Sequence, residues 1–449
     1  MRLNPFAGLP NPRAVWAWGM FDLANQSFTL LINTLLFAIF FKEVVVGDPA
    51  KGDSLWSIAF SGSMLLVVIC SPIFGAIADV RGMRKRFLLT TGVLCAVLTC
   101  ALAFAQPGLV VLAMLLYIPA NFCYQIGENF LASFLPSVST PRNIGRVSAT
   151  GWAMGYVGAL LLLVLTLGAM LTLGLEDPPD WRPLFVFAGV WFLLNLIPAA
   201  LNLKEPPTLK PANEGRSLVG ETFARLRETV RSAAEFRQLV LFLGAFFVFG
   251  MGVQTVIAFA AILAGDFGIE GTGLVLFVLQ ITLTAGATAI ATGFFQDRIG
   301  GRTTVIVYLA LWMFSSMALF GISLVPDNPE SLSDPSIPAK PQWLFWVVGN
   351  GIGFGIGGIG TASRSLVGKF TPAHKTAEFF GLWGMVYKFA GVVGVLSFGQ
   401  VKAWIGMSAS LALLFVFFAV GLFMTLRVRE TGGLRAARRA ERSIQLPSA

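Results

Sequence analysis

The sequence predicts an all-α polytopic membrane protein, with twelve transmembrane helices in two pseudo-symmetric six-helix bundles. Three observations predict this fold class: an excess of apolar residues, twelve apolar runs of membrane-spanning length, and a loop pattern that occurs twice. Of the 449 residues, 56% are hydrophobic and 12% are charged, whereas soluble domains carry about 25% charged residues. Because so few polar residues cannot cover a soluble protein of this length, the composition excludes a soluble enzyme.

The apolar runs follow one another along the whole chain. A bilayer core about 30 Å thick requires about 20 apolar residues per helix. Twelve runs have this length: 15–41, 55–78, 87–105, 109–134, 147–172, 183–202, 238–264, 272–294, 303–324, 343–366, 378–400 and 404–426. The longer polar stretch after the sixth run divides the chain into an N-terminal six-helix bundle, a linker, a C-terminal six-helix bundle and a basic tail, at 1–203, 204–237, 238–427 and 428–449.

The second half of the linker carries apolar residues near helical spacing: Leu218, Phe223, Leu226 and Val230. This spacing predicts an amphipathic helix on the membrane surface, with a solvated linker helix as the alternative.

The basic residues predict the orientation of the chain. If the N-terminus lies inside and the loops alternate, 26 of the 32 Lys and Arg residues fall on the inside and five on the outside. Cytoplasmic loops of membrane proteins carry such an excess. We therefore expect both termini to be cytoplasmic and the protein to lie in the cell (inner) membrane. The tail from Arg427 to Arg442 is expected to lie against anionic headgroups.

One loop pattern occurs in both halves. Residues 75–84 read GAIADVRGMR and residues 293–302 read GFFQDRIGGR, 218 positions further on. Asp79 and Arg84 in the first copy correspond to Asp297 and Arg302 in the second. Each copy follows the second helix of its six-helix half, so the pattern indicates that the halves are related.

These residues resemble the signature between helices 2 and 3 of the major facilitator superfamily and its less complete repeat between helices 8 and 9. Three further stretches resemble the vacuole-effluxer-like family, once labelled "unknown major facilitator". They are WGMFDLANQSF at 18–28, RVSATGWAMGYVG at 146–158, and SRS at 363–365 followed by EFFGL at 378–382 and Lys388. The chain departs from the family just before the Leu-Pro of helix 4, where the polar pair Glu128-Asn129 comes a turn early.

The resemblance implies a secondary transporter that works by alternating access, and fungal relatives are described as exporters of amino acids from the vacuole. It also implies that the two repeated loops latch the cytoplasmic side, with Asp79, Arg84, Asp297, Arg302 and Arg364 as gating residues.

Three charged residues fall well inside apolar runs: Asp22, Glu128 and Lys388. Each costs about 3 kcal/mol near the bilayer centre on insertion scales, so each is a candidate for function. Counted from the runs, Asp22 and Glu128 lie about 10 Å from the cytoplasmic ends of helices 1 and 4, and Lys388 lies near mid-depth. In the major-facilitator arrangement helices 1 and 4 line the central cavity, which makes the carboxylates candidate neighbours for proton binding. The alternative is a structural ion pair or helix cap.

Uncharged polar residues at comparable depth are further candidates for the substrate and proton site: Asn25, Asn129, Tyr156, Gln254 and Asn350. Isolated amides in membrane helices also bond to neighbouring helices, which is the alternative for each of them.

The sequence favours a carrier of a small polar or zwitterionic solute, with protons as the coupling ion. A carrier of peptides, organic acids or drugs remains open, as does a non-transporting receptor or scaffold. The four cysteines lie in apolar runs without paired spacing, and the single histidine, His374, lies in a loop. We therefore expect no enzyme activity, no metal, no cofactor and no nucleic-acid partner. The expected partners are the substrate, protons and the lipid bilayer, and the expected state is a monomer.

Overall fold

Twelve helices in the described residues are long and apolar enough to cross a membrane. The computed structural model describes residues 6, 9, 11–140, 144–205, 218–325, 342–372 and 375–445. Spans one to six are Pro12–Val46, Pro49–Arg81, Arg84–Ala101, Val110–Val138, Ile144–Leu173 and Arg182–Asn202. Spans seven to twelve are Arg237–Asp266, Thr272–Ile299, Gly301–Ser323, Gln342–Phe370, Thr376–Trp404 and Met407–Leu426. The predicted fold class is confirmed.

The first span is longer and less regular than its apolar run. It begins where the Asn11 side chain accepts a hydrogen bond from the Ala14 amide at 3.2 Å. Two π-helical segments, Ser27–Leu35 and Phe41–Val46, flank the short α-helix Leu36–Phe40. The helix continues past the predicted end at residue 41 because Lys42 is buried, with its ammonium 3.5 Å from the Asp53 carboxylate.

The chain divides into two compact units. The first comprises Met1–Phe223, Ala258–Ile262 and Gly271–Leu276, and the second comprises Ala224–Ile257, Leu263–Glu270 and Phe277–Ala449.

In the first unit, span 1 packs on spans 5 and 6, and span 3 packs on spans 4 and 6. Glycines permit the close approach of spans 1 and 5: a Cβ on Gly158 would lie 2.4 Å from Leu23 Cγ, and one on Gly151 would lie 2.2 Å from the Trp18 ring.

The second unit repeats this packing. Span 9 packs on spans 10 and 12, as span 3 does on spans 4 and 6. Span 7 meets span 11 at Gly394, where a Cβ would lie 2.4 Å from the Met251 carbonyl oxygen. The glycine-rich span 10 approaches span 8 in the same way, since a Cβ on Gly357 would lie 2.0 Å from the Ala285 carbonyl oxygen.

Two polar helices lie outside the spans. The linker helix is Leu218–Ala234, and its C-terminal part packs within the second unit. The Lys375 ammonium donates a hydrogen bond to the Ser232 hydroxyl, and the ring of Phe236, two residues past the helix, meets that of Phe379. The C-terminal helix, Glu430–Gln445, packs on span 10, with Gly433 against Phe370. The side chains on which the amphipathic prediction rested, Leu218, Phe223, Leu226 and Val230, lie outside the described residues, as do residues 206–217.

Candidate functional site

Spans 1 and 4 bring three of the predicted site residues together. The Asn25 side-chain amide donates a hydrogen bond to Glu128 Oε1. The Asp22 and Glu128 carboxyl groups lie close enough to repel each other electrostatically. Both helices extend beyond their apolar runs, and each carboxyl group is ten residues, or about 15 Å, from its helix end, where the sequence predicted about 10 Å. Each carboxyl group therefore lies about one helical turn further from its helix end than the apolar runs predicted.

One buried oxygen beside this pair accepts no hydrogen bond from the described residues. Asn25 is 1% exposed, and within the described part of the chain its Oδ1 has no hydrogen-bond partner. On span 5, a Cβ at Gly155 would lie 3.0 Å from Asp22 Oδ2, so glycine leaves the space that the carboxylate occupies. A buried acceptor of this kind is costly unless a donor reaches it in some state of the protein.

A second polar pair, which the sequence analysis missed, lies one turn further along the same helices. The Thr29 hydroxyl is 2.7 Å from the Tyr124 hydroxyl and 3.1 Å from the Asn25 carbonyl oxygen. Thr29 follows Asn25 by four residues and Tyr124 precedes Glu128 by four, so helical spacing alone places them on the faces that meet.

A buried network continues this seam beyond Thr29, within the π-helical segment of span 1. Asn33 Nδ2 donates to Asn121 Oδ1 at 3.0 Å, and the Tyr117 hydroxyl donates to Asn33 Oδ1 at 2.8 Å. Asn121 in turn donates to the Ser63 hydroxyl at 2.6 Å. Polar side chains therefore line the contact of spans 1 and 4 over several turns.

Two predicted residues of the first unit have other partners. Asn129 donates to the Ser71 hydroxyl at 2.7 Å, which ties span 4 to span 2. Tyr156 is half-buried on span 5, and its ring centroid lies 6.3 Å from that of Trp152.

The predicted residues of the second unit lie on three spans. Lys388 is half-buried near the middle of span 11, twelve residues after Thr376. One turn along, Gly391 leaves room for Gln254, whose Nε2 would lie 3.0 Å from a Cβ there. On span 10, Asn350 donates to the carbonyl of Trp346 in its own helix at 3.2 Å.

Arg364, which the sequence predicts as a gating residue, is also on span 10 and is half-buried. Within the described chain, no group of three or more His, Cys, Asp or Glu residues is arranged to hold a metal ion.

Each repeated loop is bound by a glutamate from elsewhere in its own half, which is called a glutamate clamp here and which the sequence did not reveal. Glu205, just after span 6, accepts hydrogen bonds from the Arg84 and Lys85 amides at 2.6 and 2.8 Å. Glu430, just after span 12, accepts from the Gly301 and Arg302 amides at 3.2 and 2.8 Å. Each clamp binds the first amides of span 3 or span 9, which have no partner within their own helix.

The second clamp has further contacts. Glu430 forms an ion pair with Lys369 at 3.0 Å, and the Arg302 guanidinium donates to the Leu426 carbonyl at 2.7 Å. Partial burial raises the pKa of the Glu430 carboxyl. The Arg302 amide, Lys369 and the Gly301 amide lower it by more than burial raises it, so the pKa is below the ordinary value. The side chains of Asp79 and Asp297, predicted to act in these loops, lie outside the described residues.

Twelve spans in two units of matching packing, with half-buried carboxyl groups inside two spans and a glutamate that caps the third helix of each half, define a transporter of the major facilitator kind. Solved structures agree on the fold. The D-xylose-proton symporter aligns with a TM-score of 0.69 at 13% identity, over 94% of this chain and 98% of that one. A mutant of the nucleoside transporter NupG aligns with a TM-score of 0.66 at 12% identity, over 92% of this chain and 98% of that one.

The family follows from the sequence match. Residues 42–145 and 138–438 match the family described as "Vacuole effluxer Atg22 like", and the chain belongs to that family. The resemblance inferred from the sequence is confirmed.

The relatives differ in how much of their length this chain covers. The uncharacterized MFS-type transporter YxiO of Bacillus subtilis is 24% identical over 426 residues, 92% of this chain and 94% of its own. Autophagy-related protein 22 of Coccidioides immitis is 24% identical over 442 residues, 82% of this chain and 72% of its own. Autophagy-related protein 22-1 of Penicillium rubens is 24% identical over 292 residues, and the chain spans about half of that protein, 48%.

Proposed function

We propose that this transporter moves a small zwitterionic solute of the amino-acid class, coupled to protons, by alternating access. The observation that carries the proposal is the carboxyl pair of Asp22 and Glu128, held beside Asn25 in the first unit. Fungal members of the family are named as autophagy-related proteins and the family as vacuole effluxers, which supports export of small metabolites as the general activity.

The carboxyl pair supplies a reason for proton coupling. Two negative charges close together in surroundings of low dielectric constant repel each other, and one bound proton relieves that repulsion. A protonated carboxyl is also a hydrogen-bond donor, which is what the buried Asn25 Oδ1 lacks. Proton binding and hydrogen bonding in this group are therefore linked.

In this proposal Lys388 binds the carboxylate of the substrate, because it is a cation near the middle of span 11 and charged side chains at such positions mark substrate pathways. Tyr156, Gln254 and Asn350 contribute polar contacts to the solute, and Asn129 positions span 4 through Ser71. Substrate binding then depends on protonation of the carboxyl pair, which is the thermodynamic basis of coupling.

The repeated loops are proposed as gates on the cytoplasmic side, with Asp79, Arg84, Asp297, Arg302 and Arg364 as gating residues. The protein is proposed to lie in the cell membrane with both termini in the cytoplasm, because basic residues are in excess on that side. It is proposed to act as a monomer.

Flux measurements on purified protein in liposomes test the proposal. Radiolabelled amino acids are offered with and without an imposed pH gradient, to wild type and to Asp22→Asn, Glu128→Gln and Lys388→Ala. We expect saturable, gradient-driven flux in wild type. Asp22→Asn should keep binding and lose pH dependence, and Lys388→Ala should lose binding.

The matched control is Asp177→Asn, which removes one carboxylate from an exposed position between spans 5 and 6 and should leave flux unchanged. Wild-type coupling in both Asp22→Asn and Glu128→Gln would show that the carboxylates are structural.

A further inference from the structure

An arginine-lined cavity lies at the end of span 12. It has a volume of about 610 Å³ and lies between the start of span 9 and the start of the C-terminal helix. Arg302, Arg427 and Arg429 line it, together with Glu430. The carboxylate of Glu430 is already bound by two backbone amides and by Lys369 at 3.0 Å, so the cavity carries a net positive charge.

The guanidinium groups of Arg302 and Arg427 are positioned by neighbouring groups, and Arg429 is fixed through its backbone. Among the described residues the guanidinium of Arg302 has two acceptors, the carbonyls of Thr425 and Leu426, and a guanidinium has five N–H donors. The Arg427 guanidinium lies over the Phe423 ring, 4.3 Å from its centroid. Arg429 is exposed, and its backbone amide is fixed by Gln238 at 2.7 Å.

Apolar side chains border the same cavity on the side of the span. Leu426 and Ile299 line it and are exposed, and Phe423 one turn earlier is 55% exposed. Arg427 follows directly on the last residue of a membrane-spanning helix, which is the depth at which hydrocarbon gives way to headgroups. Positive charge above exposed apolar surface is the arrangement that a phospholipid complements, because its phosphate and acyl chains are joined at that depth.

We propose that this cavity binds the phosphate of an anionic glycerophospholipid, with Arg302, Arg427 and Arg429 as the phosphate ligands and Phe423, Leu426 and Ile299 beside the acyl chains. Arginine suits this role because its planar fork bonds two phosphate oxygens at once. The bound lipid would lie against the Glu430 clamp, which joins the C-terminal helix to the start of span 9.

Lipid titration followed by native mass spectrometry tests the proposal on the purified, delipidated full-length protein. Phosphatidylglycerol and phosphatidylcholine with identical acyl chains are added in parallel. Wild type should bind phosphatidylglycerol more tightly, and Arg427→Gln/Arg429→Gln should weaken that binding on the order of tenfold, since each basic residue near anionic lipid contributes measurably.

The matched control is Arg435→Gln/Arg439→Gln. It removes the same charge from exposed positions on the C-terminal helix outside the cavity and should leave the preference for phosphatidylglycerol nearly intact. An equal loss in both double variants would show diffuse surface charge and overturn the site.

A second variant guards against misfolding. Thr303→Glu places a negative charge in the cavity at an exposed position in the first turn of span 9, where acidic residues stabilise a helix. It should abolish the preference in protein whose far-UV circular dichroism matches that of wild type, and retained binding would contradict the proposal. Displacement of phosphatidylglycerol by millimolar inorganic phosphate would identify a site for soluble anions and overturn the lipid assignment.

Discussion

The clamp at Glu430 makes a quantitative prediction about local stability. In Glu430→Gln one carbonyl oxygen remains, so one of the two backbone amides keeps an acceptor and the other loses it. A hydrogen bond to a charged group contributes about 1.5–3 kcal/mol. The ion pair with Lys369, whose side chain is 28% exposed, contributes about 0.5 kcal/mol. The expected loss is therefore about 2–3.5 kcal/mol at the start of span 9.

Hydrogen exchange at the Gly301 and Arg302 amides measures this loss directly. These amides begin a helix and have no partner within it, so their protection depends on Glu430. If they exchange by local opening, about 2–3.5 kcal/mol corresponds to exchange about 30- to 300-fold faster. The measurement uses overlapping peptides from wild type and Glu430→Gln at one pH.

The homologous clamp supplies the control. Glu205→Gln should accelerate exchange at Arg84 and Lys85 and leave the start of span 9 unchanged, and Glu430→Gln should do the reverse. Unchanged exchange at Gly301 and Arg302 in Glu430→Gln would refute the reasoning, because it would show that the carboxylate does not protect them.

Three other predictions can be tested, two from the structure and one from the distribution of basic residues in the sequence. The pKa of Glu430 is lowered from 4.5 in the folded protein, so its contribution to local stability is complete above pH 4.5 and is lost as pH falls through the lower folded pKa. Protection of the Gly301 amide, corrected for the intrinsic exchange rate at each pH, should therefore be constant from about pH 7 to pH 5 and fall below about pH 4.5. Gly158→Ala should lower the free energy of unfolding by about 1–3 kcal/mol, because the added methyl group overlaps Leu23. Gly168→Ala on the same helix places its methyl group in open space and should leave the free energy of unfolding unchanged. A cysteine introduced at Lys340 should be labelled from outside the cell and one at Arg216 should not; the opposite pattern would reverse the topology.

The spans were predictable because a membrane helix is recognised from the summed hydropathy of about 20 consecutive residues, without knowledge of its tertiary contacts. Their ends were not, because they depend on single contacts. The first span begins at the Asn11 cap and continues past Lys42 because Asp53 neutralises that charge in the folded protein. The π-helical segments of the first span had no signal in the apolar pattern.

The candidate site was predictable in part, because charged and amide side chains are rare in apolar runs. Asp22, Asn25 and Glu128 stand out as polar residues in apolar runs, and the structure groups them. Thr29 and Tyr124 do not stand out, since a threonine and a tyrosine are ordinary in a span. Helical spacing from Asn25 and Glu128 would have found both.

The glutamate clamps required knowledge of the tertiary fold, because their donors are backbone amides more than a hundred residues away in the chain. One local signal was available. Lys204-Glu205 follows span 6 and Arg429-Glu430 follows span 12, so a basic residue and a glutamate come at matching places in the two halves.

That the clamp donors belong to the main chain has a consequence for how these loops tolerate mutation. Every amino acid except proline carries the N–H that Glu205 and Glu430 bind. Substitutions at Lys85 can therefore change size and charge while its loop keeps its anchor, whereas loss of either glutamate has no such substitute. Gly301 is restricted for a different reason: it is buried, and a Cβ there would already lie 3.4 Å from Leu366 Cδ1. Proline at Arg84, the first helical position, would delete a single N–H and leave the helix able to form. Genetic variation should therefore be broader at Lys85, which its clamp contacts through the main chain, than at Glu205 or Glu430.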